Sequence, residues 1–226
     1  MGAVLLAAAA VAYNNLINRW PAFASRAYVP ANLVAGSVAV ACGVLFLGLD
    51  RAAIGLRFDG AALGLPWVGA AAFGLGVALG VPRARRAMRD RRLEGLAGAR
   101  AALHVLARIP VGTALFEETV FRGVLYAAFA GEGTGAAAVA SSIAFGLWHV
   151  EPTRLLVRAN RPEASARAVV VAALGGVVVT FAAGMFLAWL RARGGGIAAP
   201  IVVHAGINSL GAVAAMIALR LDPMKG

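Results

Sequence analysis

Long apolar stretches separated by short polar breaks run along almost the whole chain. A membrane-spanning helix needs about 20 mostly apolar residues. The stretches that meet or approach this length are residues 31–49, 65–82, 110–130, 134–150, 168–190 and 197–219. A weaker stretch, Gly2 to Ile17, is interrupted by Asn14 and Asn15. No Lys or Arg precedes it as in a signal peptide, so we expect a first spanning or re-entrant helix.

The composition strengthens the membrane interpretation. Apolar residues make up 61% of the 226 residues and the mean hydropathy is +0.81, whereas soluble domains contain about 45 to 50% apolar residues. The pattern predicts an all-α, polytopic transmembrane bundle of about seven helices. We expect one integral membrane domain over residues 1–226: N-terminal helices at 1–82, a basic loop with an interfacial helix at 83–109, and polar-residue-bearing helices at 110–219.

The net charge of +11 is unevenly distributed. Fifteen of the 21 Lys and Arg residues fall in loops near 18–29, 83–100 and 151–167 or at the C-terminal end. They are Arg19, Arg26, Arg83, Arg85, Arg86, Arg89, Arg91, Arg92, Arg100, Arg154, Arg158, Arg161, Arg167, Arg220 and Lys225. The opposite loops hold Arg51, Arg57, Arg191 and Arg193. Because cytoplasmic loops are enriched in Lys and Arg, we expect the C-terminus in the cytoplasm.

The basic run from Arg83 to Arg92 could also indicate nucleic-acid binding. Membrane topology and contact with anionic lipid headgroups explain it without a further partner, so we expect membrane lipids and no nucleic acid. The bias towards Ala, Gly and Arg resembles that of proteins from GC-rich bacteria, which predicts a bacterial plasma membrane protein.

Six polar side chains interrupt the apolar segments of the C-terminal half. They are Glu117, Glu118, Arg122, His149, His204 and Asn208. An ionisable group at bilayer depth costs at least about 2.5 kcal/mol, and such groups normally face a protein interior or a watery cavity and serve a function. The polar groups therefore predict a buried catalytic cavity. Since one of the histidines ends its segment on the basic side, we expect the cavity to open towards the cytoplasm.

Helical spacing divides these groups into pairs. Glu118 and Arg122 are four residues apart, so they share a face and can form an ion pair. Glu117 points about 100° away from Glu118 and is free to face a cavity. Phe145 precedes His149 by four residues, which places both side chains on one helix face.

The combination suits hydrolysis of an amide bond. Glu117 with His149 could activate a water molecule as a general base. His204 and Asn208, also four residues apart, could donate hydrogen bonds to the oxyanion that develops. We expect no cofactor. The open alternative is a zinc site formed by Glu117, His149 and His204; no His-Glu-x-x-His helix accompanies it.

Three sequence blocks together resemble the motifs of the CPBP intramembrane proteases, also called the Abi family, which include the type II CAAX prenyl endopeptidases. The blocks are EETVFR from Glu117, FGLWH ending at His149, and HAGIN from His204. The resemblance covers about half the chain, residues 110–210. It implies Glu117 and His149 as the water-activating pair, His204 and Asn208 as the oxyanion-binding groups, and a membrane-associated peptide or protein as the substrate.

Two other function classes fit parts of the pattern. Buried polar residues can simply connect helices, which is compatible with a non-catalytic scaffold or with an immunity or regulatory protein. The other class is a transporter, although no internal repeat of the kind common in transporters is evident. Neither alternative explains why two histidines, a second glutamate and an asparagine accompany the Glu118 and Arg122 pair.

Overall fold

The computed structural model describes residues 1–20 and 27–222, so Arg26 and Lys225 of the charge pattern lie outside the described residues. Every regular element in these ranges is helical, which confirms the all-α fold. The long helices are α1 (Gly2–Ile17), α2 (Tyr28–Leu47), α4 (Leu65–Gly80), α6 (residues 98–129), α7 (Thr134–Trp148), α8 (Val150–Asn160), α9 (Ala166–Gly194) and α10 (Ala198–Leu221). Two short helices are α3 (Arg51–Ile54) and α5 (Pro82–Ala87), and short 3-10 helices lie at Ala61–Gly64, Arg91–Leu93 and Ala130–Glu132.

Helix α6 differs from the expected interfacial helix followed by a break near residue 109. It runs without interruption from residue 98, and its segments His104–Leu115 and Thr119–Leu125 are wound as π-helix. Pro110 lies inside the first π segment. Because proline lacks an amide hydrogen and its ring clashes with the preceding turn of an α-helix, the altered winding lets the helix continue. Local π windings often occur at functional sites.

Four helical segments in the described ranges are long and apolar enough to cross a membrane: Tyr28–Leu47, Ala61–Gly80, Ala166–Gly194 and Ala198–Leu221. The shorter Gly2–Ile17 is also apolar. Helix α7 has only 15 residues, and α6 contains two glutamates and an arginine within residues 117–122. The structure thus shows a membrane helix bundle, and seven crossings stay a prediction.

The basic segments meet at one end of the bundle. Arg85 Nε lies 3.4 Å from Asp222 Oδ2 at the end of α10. The Arg91 N–H donates to Asn160 Oδ1 at the end of α8, with an N···O distance of 2.9 Å. Arg19, just after α1, is paired with Glu151 of α8. These contacts bring together the loops that the charge pattern assigns to one side, and we call this the basic end.

The loops with few cations meet at the opposite end. The Ile197 N–H donates to the carbonyl oxygen of Gly55 at 2.9 Å, and Arg191 Nη2 donates to the carbonyl oxygen of Ala53 at the same distance. Helix α9 connects the two ends; its 29 residues correspond to about 44 Å at 1.5 Å per residue. The two groups of loops in the charge pattern therefore lie at opposite ends of the bundle, and which end faces the cytoplasm stays a prediction.

The core beside the polar residues is aromatic. Phe116, Phe121, Phe145 and Trp148 are all buried and belong to one cluster. Phe121 packs edge to face against both Phe145 and Trp148, with ring centroids 5.2 Å apart in each case. Since these residues come from α6 and α7, the cluster fixes the two helices that carry the glutamates and one histidine.

Candidate active site

Glu117 lies at the centre of the polar cluster and is buried. Its Oε1 accepts a hydrogen bond from Trp148 Nε1–H at 3.0 Å. Its Oε2 lies 3.8 Å from His204 Nε2 and 4.0 Å from His149 Nε2. Within the described part of the chain this oxygen has no hydrogen-bond partner. One carboxylate oxygen is thus held in place by tryptophan, while the other faces two imidazole nitrogens.

Glu118 contacts both Arg122, its predicted partner, and His204. Its Oε1 accepts from Arg122 Nη1 at 3.1 Å and lies 2.7 Å from His204 Nδ1. Arg122 stacks on Phe145, with its guanidinium carbon 4.0 Å from the ring centroid. Both charged side chains are fully buried. Because a carboxylate oxygen only accepts, His204 presents Nδ1–H to Glu118.

His149 lies at a break between two helices. Helix α7 ends at Trp148, α8 begins at Val150, and His149 between them has φ −88° and ψ 5°. Its Nδ1 lies 2.7 Å from the carbonyl oxygen of Phe145. A carbonyl oxygen accepts only, so Nδ1 carries the hydrogen. In the neutral ring, Nε2 then has a free lone pair directed towards Glu117, as a general base requires.

Asn208 is the predicted site residue that the structure does not bring into contact with the others. It is one helical turn beyond His204 on α10 and is exposed. Its side chain makes no hydrogen bond within residues 1–20 and 27–222. Phe145, in contrast, packs against both imidazoles, with ring centroids 4.6 Å from His149 and 5.9 Å from His204.

The spacing of Glu117, His149 and His204 tests the zinc alternative. Tetrahedral zinc with bonds of 2.0 to 2.2 Å holds neighbouring ligand atoms about 3.3 Å apart. The observed distances from the shared carboxylate oxygen are 3.8 and 4.0 Å, and none of the described residues form a cluster of three or more metal-ligating side chains. A water molecule about 2.8 Å from each atom bridges groups about 4 to 4.5 Å apart. At these distances a water molecule can bridge the carboxylate oxygen and each imidazole, whereas zinc would require the side chains to approach by about half an ångström.

An apolar cavity of about 660 Å³ lies next to the cluster, between α1 and α2. Phe116, Val120 and Trp148 form part of its wall, and none of the predicted catalytic side chains lines it. Trp148 therefore separates this cavity from Glu117 while donating to the carboxylate. Sequence analysis did not predict this apolar cavity, and the polar cavity that opens towards the cytoplasm stays a prediction.

Sequence analysis also missed several residues that contact the predicted ones. Trp148 is part of the FGLWH block, but nothing in the helical spacing indicates that its indole reaches Glu117. Gly184 of α9 lies against both Arg122 and Ser142 of α7. Asn14 donates to the carbonyl oxygen of Trp148 at 2.8 Å. An asparagine within an apolar segment is a sequence signal for such a contact, whereas its partner is set by packing.

Comparisons with curated proteins and with solved structures gave no significant match. Residues 99–210 match the family model described as type II CAAX prenyl endopeptidase Rce1-like. The matched half of the chain contains Glu117, His149 and His204, and thus the whole triangle of facing atoms. Through residues 99–210, the chain therefore belongs to the Rce1-like family of type II CAAX prenyl endopeptidases.

Proposed function

We propose that the protein is an intramembrane endopeptidase that hydrolyses a peptide bond in a membrane-associated peptide or protein. The observation that carries this proposal is the unpartnered Oε2 of Glu117, which lies within 4.0 Å of the Nε2 atoms of His149 and His204. Buried polar groups in native proteins are nearly always hydrogen-bonded. Other buried polar atoms also lack a partner among the described residues, such as Glu118 Oε2, Arg122 Nε and Ser142 Oγ. Glu117 Oε2 in addition faces two imidazole nitrogens, and this arrangement suits a reacting water.

The reaction begins with a water molecule that donates hydrogen bonds to Glu117 Oε2 and His149 Nε2. Glu117 takes one proton as the water oxygen bonds to the scissile carbonyl carbon. The tetrahedral intermediate then collapses, the C–N bond breaks, and the proton passes to the leaving amine. General acid–base catalysis of this kind contributes about 10² to 10⁴ in rate. Trp148, which donates to Oε1, keeps the second oxygen directed at the water.

His204 stabilises the oxyanion in this mechanism. Its Nδ1–H is directed at Glu118, so Nε2–H is available for donation when the ring is an imidazolium. Glu117, Glu118 and Arg122 carry a net charge of −1 in the buried cluster, and a protonated His204 makes the sum zero. Burial of charge is tolerated best when it is balanced. Asn208 is the second donor and makes its hydrogen bond only when substrate is present.

We propose that catalysis requires no metal, since a water molecule can bridge the facing atoms at the observed distances. If zinc did bind, Glu117, His149 and His204 would hold it, and it would lower the pKa of the bound water. We further propose that the basic end faces the cytoplasm of a bacterium and that His149, which ends α7 at that end, acts near the inner leaflet.

Cleavage of quenched fluorescent peptides by detergent-purified protein tests the proposal. One peptide set carries a prenylated cysteine followed by a short C-terminal tail. A second set has the same sequences without the lipid. Glu117→Gln removes the acceptor while keeping size and is expected to lower kcat at least 10²-fold. Glu132→Gln is the matched control, since Glu132 is exposed three residues beyond the end of α6, and it should cleave as the wild type does.

A chelator separates the two mechanisms. Full activity in chelator, with loss in Glu117→Gln, supports the metal-free mechanism. Loss in chelator that zinc restores would instead support the metal site. Equal cleavage by the wild type and Glu117→Gln, on both peptide sets, contradicts the proposed function and favours the scaffold hypothesis.

A further inference from the structure

Two adjacent asparagines of α1 surround the helix break at which His149 lies. Asn14 Nδ2 donates to the carbonyl oxygen of Trp148 at 2.8 Å. Asn15 Nδ2 donates to the carbonyl oxygen of Leu147 at 3.1 Å, and Asn15 Oδ1 accepts from the Glu151 N–H at 2.8 Å. The pairs are separated by 132 to 136 residues in sequence. The first helix thus contacts the backbone on both sides of the histidine.

Asn15 occupies the place of a backbone hydrogen bond. In a continuous helix, the carbonyl of Leu147 accepts from the N–H four residues later, which belongs to Glu151. In the structure the Asn15 amide bonds both of these groups, one through its nitrogen and one through its oxygen. The side chain therefore takes the place of the helical bond between these two groups where α7 ends and α8 begins, while the Leu147 carbonyl also accepts from a backbone N–H at this helix end.

Asn14 bonds a second backbone group at the break, the carbonyl oxygen of Trp148. The helical partner of the Trp148 carbonyl would be the amide of residue 152, which is Pro152 and has no N–H. An unpaired backbone carbonyl in an apolar interior is costly, and Asn14, which is buried, supplies the donor. Its own amide is oriented by Asn18, whose Nδ2 lies 2.6 Å from Asn14 Oδ1.

The break has a direct consequence for the candidate active site. It places the Trp148 indole on Glu117 Oε1 and His149 Nε2 4.0 Å from Glu117 Oε2. Trp148 and His149, which follow each other in sequence, thus face the two oxygens of the Glu117 carboxylate. We propose that Asn14 and Asn15 are positioning residues: they hold the break between α7 and α8 and thereby align Trp148 and His149 on Glu117. This proposal rests on the proposed function for its kinetic consequences, though not for its geometry.

Two substitutions test the proposal, each with similar side-chain size and no amide: Asn14→Leu and Asn15→Leu. Because small displacements of reacting groups can cost up to about 10² in rate, we expect kcat to fall roughly tenfold to 100-fold while KM stays within about twofold. The matched control is Asn160→Leu. Asn160 also connects two segments, through the Arg91 N–H, but it lies at the opposite end of α8 from His149.

A spectroscopic measurement follows Trp148 without requiring activity. The chain has four tryptophans, and 5-fluorotryptophan gives one ¹⁹F resonance for each; Trp148→Phe identifies the signal of Trp148. We expect Asn14→Leu and Asn15→Leu to shift this resonance and Asn160→Leu to leave it in place. If Asn14→Leu does not fold, Asn14→Gln keeps the amide on a longer side chain and tests the same contact with both measurements.

A double-mutant comparison shows whether the asparagine acts through the tryptophan. If it does, adding Asn14→Leu to Trp148→Phe lowers kcat by a smaller factor than it does in the wild type. The proposal is overturned if both asparagine variants keep kcat within about twofold, if the Trp148 resonance does not move, or if Asn160→Leu has the same effects. Should the wild type cleave no peptide, the proposed function fails, and the fluorine shift alone decides whether the asparagines position Trp148.

Discussion

At the scale of single residues, Asn208 and its neighbour Ser209 differ in whether their side chains form hydrogen bonds. Asn208 has no hydrogen bond in the described part of the chain, whereas its neighbour Ser209 donates to the carbonyl oxygen of Val105 at 2.8 Å. The two residues follow each other on α10 but should respond differently to substitution. This difference separates a role in the transition state from a role in folding.

We expect Asn208→Ala to lower kcat by about 10² to 10³, the usual loss for one oxyanion donor, and to leave the melting temperature unchanged. Ser209→Ala should do the opposite: it removes a bond between α10 and α6, which in membrane proteins contributes about 0.6 kcal/mol on average, without affecting kcat. Peptide cleavage and thermal unfolding in detergent measure both. A stability loss in Asn208→Ala with unchanged kcat would contradict its assignment as an oxyanion donor.

The buried ion pair gives a second prediction. Removing Arg122 leaves Glu118 buried beside His204 without its guanidinium partner, and loss of one member of a buried pair costs about 3 to 5 kcal/mol. We therefore expect Arg122→Ala to lower expression, melting temperature and activity together. Arg154→Ala is the control, since Arg154 is half-exposed and its partner Glu151 is also paired with Arg19. Wild-type stability in Arg122→Ala would refute the supporting role of the pair.

At the scale of helices, close packing of α7 against α9 holds the ion pair in place. A methyl group added to Gly184 would lie 2.9 Å from Ser142 Cβ, 3.0 Å from Ser142 Oγ and 3.2 Å from Arg122 Nη2. A methyl group added to Gly175 on the same helix would meet no atom within 4 Å. Small residues at helix contacts allow such close approach in membranes.

We expect Gly184→Ala to destabilise the protein by about 1 to 3 kcal/mol, since inserting atoms into a packed core forces displacement, and to disturb Arg122. Gly175→Ala should be neutral or stabilising by up to about 1 kcal/mol, because alanine favours helix over glycine. Thermal unfolding of the two variants side by side measures the difference. Equal melting temperatures would show that α7 and α9 can separate at this point without cost.

Sequence periodicity predicted contacts within a helix, but it did not predict where α6 begins or that parts of it are wound as π-helix. The i, i+4 spacing of Glu118 and Arg122 correctly indicated a pair, because that contact lies within one helix. The continuation of α6 back to residue 98 was not predicted, since Pro110 suggested a helix start. Whether a proline begins a helix or is accommodated by π winding depends on the neighbouring helices, which the local sequence does not contain.

At the scale of the whole molecule, the basic end and its opposite make a prediction about orientation. After replacement of the single cysteine, Cys42→Ala, a cysteine is introduced by Arg158→Cys on α8 or by Arg57→Cys near the opposite end. With the basic end in the cytoplasm, a membrane-impermeant thiol reagent added to intact cells should label the second variant only. Permeabilised cells should show labelling of both, which controls for accessibility. Labelling of Arg158→Cys in intact cells would show that the basic end faces the outside of the cell, contrary to this prediction.

The sequence by itself determined the membrane class, the all-α fold, the separation of charge between the two ends and the three motif blocks. Each of these depends on composition or on spacing within one helix. Only the tertiary structure decided that Glu117 Oε2 lies between two imidazoles, that Trp148 holds Oε1, and that Asn14 and Asn15 surround the break at His149. Those contacts join groups 31 to 136 residues apart, and they arise from how the helices pack, which no local periodicity specifies.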